Sequence, residues 1–409
     1  MLLISLPATC RKNSRPPIFV ADRDQPGLPN RPRPGHHEPI SVPTRYNEPP
    51  SERVMGTYRI DQSYDWNYDQ GPSFEGSLGP VPETPEKEFF GYPVKSRIGI
   101  AAGLLLNSKW IEFYARAGFD LLTYKTVRRA YRPCYEPPNW AFIDRDSPLD
   151  GAARSEAQIA GPGQPAEIAR TTSTVSFGMP SKDPETWMAD VAQAREAIGP
   201  GQVLIVSSVA TPAKGAAAEA MIEEFGELAG MAKAAGAQVV EANLSCPNVT
   251  TAEGDIFMDA ALSGRIAAAM RKAVGDTPVL LKVGYIPERA PLDALLRAVD
   301  GKASGVILVN GVSRPVRGSD GRPYFGTGRE NAGILGTGVR DACLGSVRDA
   351  VETIGRDKLD LKVVGVGGVM AVEDAQAYFD AGAYAVMMGG APMYDPGLAI
   401  RFKAVHPEW

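Results

Sequence analysis

Short apolar runs recur along the chain from about residue 92 onward. They fall at Ile98–Ala102, Leu121–Thr126, Val203–Val209, Val239–Leu244, Val279–Val283, Val306–Val309, Lys362–Val366 and Ala385–Met388. Each is continuously apolar rather than alternating, as expected of a strand buried on both faces. Between them lie helix-like stretches at Ser108–Ala117, Glu185–Ile198, Ala216–Ala235, Met258–Ala273, Leu292–Ala298, Val339–Ile354 and Val372–Ala381, and Leu398–His406 closes the chain. Eight strands, each followed by a helix, predict a (β/α)8 TIM barrel over 92–409. An open doubly wound sheet is the structural alternative, and it wants its glycine-rich nucleotide turn after the first strand. Here AAGLLLN follows the first strand and the Gly-rich turns come late, which suits a barrel with a phosphate site after strands seven and eight.

Two stretches interrupt the alternation. Residues 1–54 are Pro-rich, with 11 of the 35 prolines in the first 50 positions, and read as a disordered extension or as sequence upstream of a start at Met55. A Pro-rich recognition tail is the functional alternative. Residues 55–91 carry more aromatics and predict an ordered arm lying across the barrel. Residues 127–184 form a long link rich in Pro, Gly and Arg, of a length expected of a functional loop or insertion.

Composition narrows the chemistry. The 409 residues are 44% hydrophobic and 22% charged, with a net charge of -5, so neither a phosphate-backbone binder nor a disordered chain is indicated. The three histidines, His36, His37 and His406, lie near the chain ends, which removes a Ser-His-Asp triad or a His-rich zinc site from the body. The four cysteines are scattered and form no C-x-x-C, so no metal site is expected and a reducing compartment is. No apolar run is long enough to span a bilayer. The apolar start MLLISLPATC lacks a basic n-region, so a cytoplasmic protein is expected, with an export signal as the alternative.

Three signals carry chemistry. Glu241-Ala242-Asn243-Leu244-Ser245-Cys246-Pro247-Asn248 closes the fourth strand, at the active face of such a barrel. Its two amides suit a planar ligand with carbonyl and N–H edges, and Cys246 is the one proton carrier on that loop. KVVGVGGV at 362–369 and AVMMGGA at 385–391 run strands into glycines whose backbone can approach a phosphate, the bland reading being tight turns. Ala332–Gly338, which includes Gly336, offers a third wall before a helix. Lys125 and Lys282 end apolar strands, where a buried ammonium needs a partner.

In order, IGIAAG, TYKT, GMP, EANLSCPN, LLKVG, VNG, VVGVGG and MMGGA resemble the dihydroorotate dehydrogenase family, from about Ile98 to Ala399. The flavin and pyrimidine module of dihydropyrimidine dehydrogenase is similar. The resemblance implies an FMN-binding barrel that oxidises dihydroorotate to orotate. It implies Ala102 and Gly103 against the flavin ring, Lys125 and Thr126 at flavin and substrate, and Asn243 and Lys282 at the flavin. Gly336, Gly367, Gly368, Gly389 and Gly390 would hold the cofactor, the last four its phosphate. Asn243, Asn248, Asn310, Gly178 and Met179 would meet the substrate. Cys246 would be the catalytic base, as in the soluble class, with Lys125 beside it to lower its pKa. The implied partners are a small-molecule substrate, a soluble electron acceptor or electron-transfer subunit, and a second copy in a homodimer; the Tyr58–Tyr68 arm is a candidate docking surface. No nucleic acid or membrane is implied.

The departures fall on the substrate side. Where the family presents Asn-Ser-Met-Gly-Leu-Pro-Asn, this chain has Val175-Ser176-Phe177-Gly178-Met179-Pro180-Ser181, and Gly311 replaces a small hydroxyl residue after Asn310. Each lost partner would leave a buried polar group unmatched, at about 1–3 kcal/mol. Three readings follow: dihydroorotate oxidation, the same chemistry on another dihydropyrimidine or cyclic amide, and a non-catalytic phosphate-ligand barrel.

Overall fold

The computed structural model describes residues 56–409 apart from 146, 162, 164, 166, 214 and 246–255. The extension 1–54, Cys246 and Asn248 therefore lie outside the described residues.

Eight parallel strands close into a barrel in chain order: β1 (Ile98–Ile100), β2 (Leu121–Val127), β3 (Val203–Ser208), β4 (Val239–Asn243), β5 (Val279–Val283), β6 (Gly305–Leu308), β7 (Lys362–Val366) and β8 (Ala385–Met388). The helices that follow them are α1 (Ser108–Arg116), α2 (Pro184–Ala197), α3 (Ala218–Ala234), α4 (Ala260–Val274), α5 (Arg289–Val299), α6 (Arg340–Asp357), α7 (Val372–Asp380) and α8 (Leu398–Val405). Every strand residue except Lys362 is buried, because each strand has the barrel interior on one face and helices on the other. Local signals place the helix starts. Asp183 accepts a hydrogen bond from the Thr186 N–H with Pro184 in the first turn, and Asp259 caps α4 through the Leu262 N–H.

Inside the barrel, the side chains change character from one end to the other. Toward the N-terminal ends of the strands, Leu121, Val203, Val239, Leu280, Ile307, Val364 and Ala385 form one apolar cluster with Phe89 and Val94. The last two come from a hairpin, Lys87–Phe89 paired with Tyr92–Val94, which plugs that mouth. Beside it, α8 buries Lys403, whose Nζ lies 2.7 Å from Asp120 Oδ2; Ser96 Oγ donates to the same oxygen at 2.6 Å. Toward the C-terminal ends the buried residues are Lys125, Ser207, Glu241, Asn243 and Lys282.

The long link between β2 and α2 is not a plain loop. Its strands Trp140–Phe142, Gln158–Ile159 and Thr172–Val175 join Val312–Arg317 and Asn331–Gly336, from the β6–α6 connection, in a five-stranded sheet. Both connections leave the C-terminal ends of barrel strands, so the sheet belongs to that mouth. The glycine-rich stretch 332–338 is thus mostly a strand, not a turn. At Gly336, φ is +84° and a Cβ would stand 2.1 Å from the Thr171 carbonyl oxygen, so the sheet itself demands glycine there. No helix among the described residues is long and apolar enough to cross a membrane.

Candidate active site

A cavity of ≈ 670 Å³ opens at the C-terminal mouth of the barrel. That is a usual size for a cofactor or small-molecule site. Lys125, Thr126, Gly178, Met179, Asn243, Lys282, Asn310, Ala102, Gly103, Gly336, Gly367, Gly368, Gly389 and Gly390 all line it. On β4 and β5 alternation turns every second residue inward, and Lys282 is in register with Asn243 on the neighbouring strand, whereas on β2 a register shift between Tyr124 and Val127 accompanies the consecutive lining residues Lys125 and Thr126.

The two lysines differ in their surroundings. Lys282 Nζ donates to the Ala102 carbonyl oxygen at 3.1 Å. Burial lowers its pKa, and the nearby Glu241 carboxylate opposes the shift. Burial pushes the Lys125 ammonium down to about 8, with Arg128 and then Lys282 adding like-charge repulsion. Among the described residues the Lys125 ammonium has no hydrogen-bond partner, and Glu241, buried on β4, has neither carboxyl oxygen hydrogen-bonded. An ammonium such as that of Lys125, lining a cavity without a partner among the described residues, marks a place for a polar ligand.

The glycines separate into two kinds. Gly367 and Gly368 have φ of +127° and +69°, and a Cβ on either would collide with Cys343 or Arg340. Their turn requires glycine with or without a ligand. Gly389 and Gly390 have no positive φ, and a Cβ on either would meet nothing within 4 Å. Their bare backbone fronts open cavity at the start of a short helix, Ala391–Tyr394. A phosphate-sized group fills that kind of space while lying close to the backbone.

Ser245 ties the amides together. Asn243 Oδ1 accepts from the Ser245 N–H at 3.2 Å and from Ser245 Oγ at 3.0 Å, while Asn310 Nδ2 donates to Ser245 Oγ. Asn243 Nδ2 rests 3.5 Å from the Met179 sulfur. Ser245 escaped the sequence reading, although the two-residue strand repeat from Asn243 points to it. Thr126 Oγ1 is 3.0 Å from Ser207 Oγ.

Seven aromatic residues of the cavity also escaped it: Tyr58, Tyr64, Tyr135, Trp140, Phe177, Phe257 and Tyr285. Tyr58 and Tyr64 are each 6% exposed and turned toward the cavity, so these two rings are wall rather than docking surface. Their approach depends on contacts far apart in the chain, and no local pattern announces it. Ser181 is corrected as well. Its Oγ accepts from the Arg128 N–H at 3.0 Å and donates to the Lys182 carbonyl at 2.8 Å, and it does not line the cavity. Of the two positions where the family motif has Asn, only Val175 faces the site.

The sequence profile described as dihydroorotate dehydrogenase matches residues 161–405. The chain belongs to the dihydroorotate dehydrogenase family. Among curated members of that family, dihydroorotate dehydrogenase of Dictyostelium discoideum is 31% identical over 360 residues, covering 84% of this chain and 96% of that protein. The catalytic subunit of dihydroorotate dehydrogenase B (NAD(+)) from Solidesulfovibrio magneticus is 30% identical over 191 residues, 46% of this chain and 59% of that one. Dihydroorotate dehydrogenases are oxidoreductases acting on CH–CH bonds.

Proposed function

We propose that this chain is an FMN-dependent enzyme that oxidises dihydroorotate to orotate in the cytoplasm. One observation carries the reading: the Lys125 and Lys282 ammonium groups, the Asn243–Ser245–Asn310 cluster and the open Gly389–Gly390 backbone all face one cavity. The residues present fit FMN. Gly389 and Gly390 leave room for its phosphate, and Lys282 offers a cation for a ring that gains negative charge on reduction. When bound, FMN supplies a hydride acceptor.

The chain's own residues do the rest. Asn243 and Asn310 orient a planar cyclic amide through donor and acceptor edges, with Ser245 holding both amides in place. Lys125 sets positive charge beside the substrate. Cys246, next in the chain after Ser245, takes the proton from the substrate carbon as general base. A thiol is mostly protonated at neutral pH, so turnover rises toward alkaline pH until Lys125 loses its charge. Electrons leave to a soluble acceptor or to a partner subunit, as the subunit name of the Solidesulfovibrio relative suggests.

The test is to add dihydroorotate without oxygen to the purified yellow protein. Bleaching of the flavin band supports the reading; a band that stays oxidised rejects dihydroorotate. Cys246→Ala is expected to slow that bleaching about 10²- to 10⁴-fold, and full retention of rate removes Cys246 as the base. Val175 favours a second reading, the same chemistry on another dihydropyrimidine or cyclic amide, because it removes a polar side chain from the cavity wall.

A further inference from the structure

The wall of the cavity formed by residues 175–179 is poor in hydrogen-bonding side chains. Val175, Phe177, Gly178 and Met179 have none to give a ligand oxygen, and only Ser176 does. On the barrel side, the Asn243 carbonyl already accepts two bonds from Ser245 and its amide lies against Met179. A cyclic amide with an oxygen facing the 175–179 wall would therefore meet no side-chain donor on that wall except Ser176, and a buried acceptor left unmatched is costly.

The N-terminal arm reaches this wall. Trp140 is the cross-strand partner of Val175, and the Tyr58 ring stacks on Trp140 at 6.4 Å between centroids. Phe177, two residues beyond the end of that strand, packs against Tyr58 at 6.0 Å and Tyr64 at 6.2 Å. Both phenols line the cavity, and neither hydroxyl has a hydrogen-bond partner among the described residues. Burial raises both pKa values well above the ordinary phenol, so both remain neutral donors.

The arm is held for such a role. Thr57 Oγ1 lies 2.6 Å from Tyr114 OH, and the Thr57 N–H donates to the Met393 carbonyl at 2.8 Å. Asn67, fully buried, donates to the Arg59 and Ser63 carbonyls at 2.9 Å each, and Trp110 Nε1 donates to the Asn67 carbonyl at 3.2 Å. Asn107 Nδ2 donates to the Tyr68 carbonyl at 2.6 Å. Phenols fixed before binding lose little freedom when a ligand arrives.

We propose that Tyr58 and Tyr64 are specificity-determining residues whose hydroxyls bind an acceptor oxygen, a carboxylate or ring carbonyl, on the edge of a cyclic-amide substrate that faces Val175. The inference rests on the dihydroorotate-type reading above and adds to it the groups that recognise this edge. It assigns a binding role to the arm, outside the barrel.

The test is calorimetric binding of two probes, orotate and uracil, to the flavin-loaded protein. Uracil lacks the carboxylate. Tyr58→Phe and Tyr64→Phe keep the rings and remove one hydroxyl each. Combined, they are expected to weaken orotate at least tenfold, the size of one hydrogen bond to a charged group, and to change uracil much less. Adding Val175→Asn to the double variant is expected to recover most of the orotate affinity. Equal orotate binding by wild type and double variant overturns the proposal, as does equal weakening of both probes, which would mean packing alone. If wild type binds neither probe, the dihydroorotate-type reading fails first and takes this one with it. Unaltered circular dichroism and thermal melting of the double variant guard against a folding defect.

Discussion

At the N-terminal mouth of the barrel, Lys403 is buried against Asp120 at 2.7 Å, in a region plugged by Phe89 and Val94. At the C-terminal mouth, Lys125 and Lys282 are also buried, yet neither forms an ion pair within 4 Å of a described carboxylate, and Glu241, beside Lys282, has neither oxygen hydrogen-bonded among the described residues. The same strands supply both ends. The difference is that the first set of charges is paired among the described residues and the second is not. A completed pair keeps the fold together; incomplete charges at a cavity keep a place for something else.

Four experiments press on that contrast. Gly389→Val puts a side chain into open space at the C-terminal mouth, where a Cβ meets nothing within 4 Å. The variant is expected to fold with an unchanged melting temperature and to retain essentially no flavin by absorbance; a yellow Gly389→Val protein would show that this backbone faces no phosphate. Lys403→Met should cost about 3–5 kcal/mol in denaturant unfolding, because it leaves Asp120 buried without its cation. A loss below about 1 kcal/mol would remove the distinction between the two mouths.

Lys125→Met should act in the opposite direction. The folded protein holds the Lys125 proton with a pKa of about 8, against 10.5 for an ordinary lysine. Unfolding therefore takes up a proton between those values. The penalty on the fold is complete below pH 8 and fades as the pH rises to 10.5. Lys125→Met is thus expected to raise apoprotein stability on the order of 1 kcal/mol at pH 7, with the margin over wild type closing by pH 10.5. Destabilisation at pH 7 would mean that Lys125 has found a counterion. The smallest effect concerns binding: orotate affinity should fall severalfold as pH rises through about 8, where Lys125 loses its charge, and this slope should vanish in Lys125→Met. Titrations across that range decide it.

The barrel was legible because its strands are buried on both faces, which leaves a run of apolar residues that no surface strand shows. Lys125 and Lys282 stood out for the same reason, as charges ending such runs. The capping sheet was not legible. Its strands are two to six residues long, some with exposed faces, and they pair across more than a hundred positions, as Gly333 does with Val175. Ser181 and Val175 look equivalent in the motif, but one is tied to Arg128 and Lys182 while the other faces the cavity, a distinction made by strand geometry rather than residue type. The glycine pairs also looked alike. Only the space around each separates a turn that needs glycine from a backbone that a ligand approaches.

The arm's attachment has a consequence for how substrate choice can be inherited. Tyr58 and Tyr64 precede the first barrel strand, and the hydrogen bonds that hold their segment involve Thr57, Arg59, Ser63 and Asn67 on one side and Tyr114, Trp110 and Met393 on the other. Most of those barrel-side contacts are to backbone atoms or to residues that also pack the core. A different upstream segment meeting the same few anchor points could line the cavity with other chemistry while the barrel strands and their glycine turns stay untouched. In this architecture the barrel wall of the cavity and its aromatic wall are written on separable stretches of chain, and the second can drift without disturbing the first.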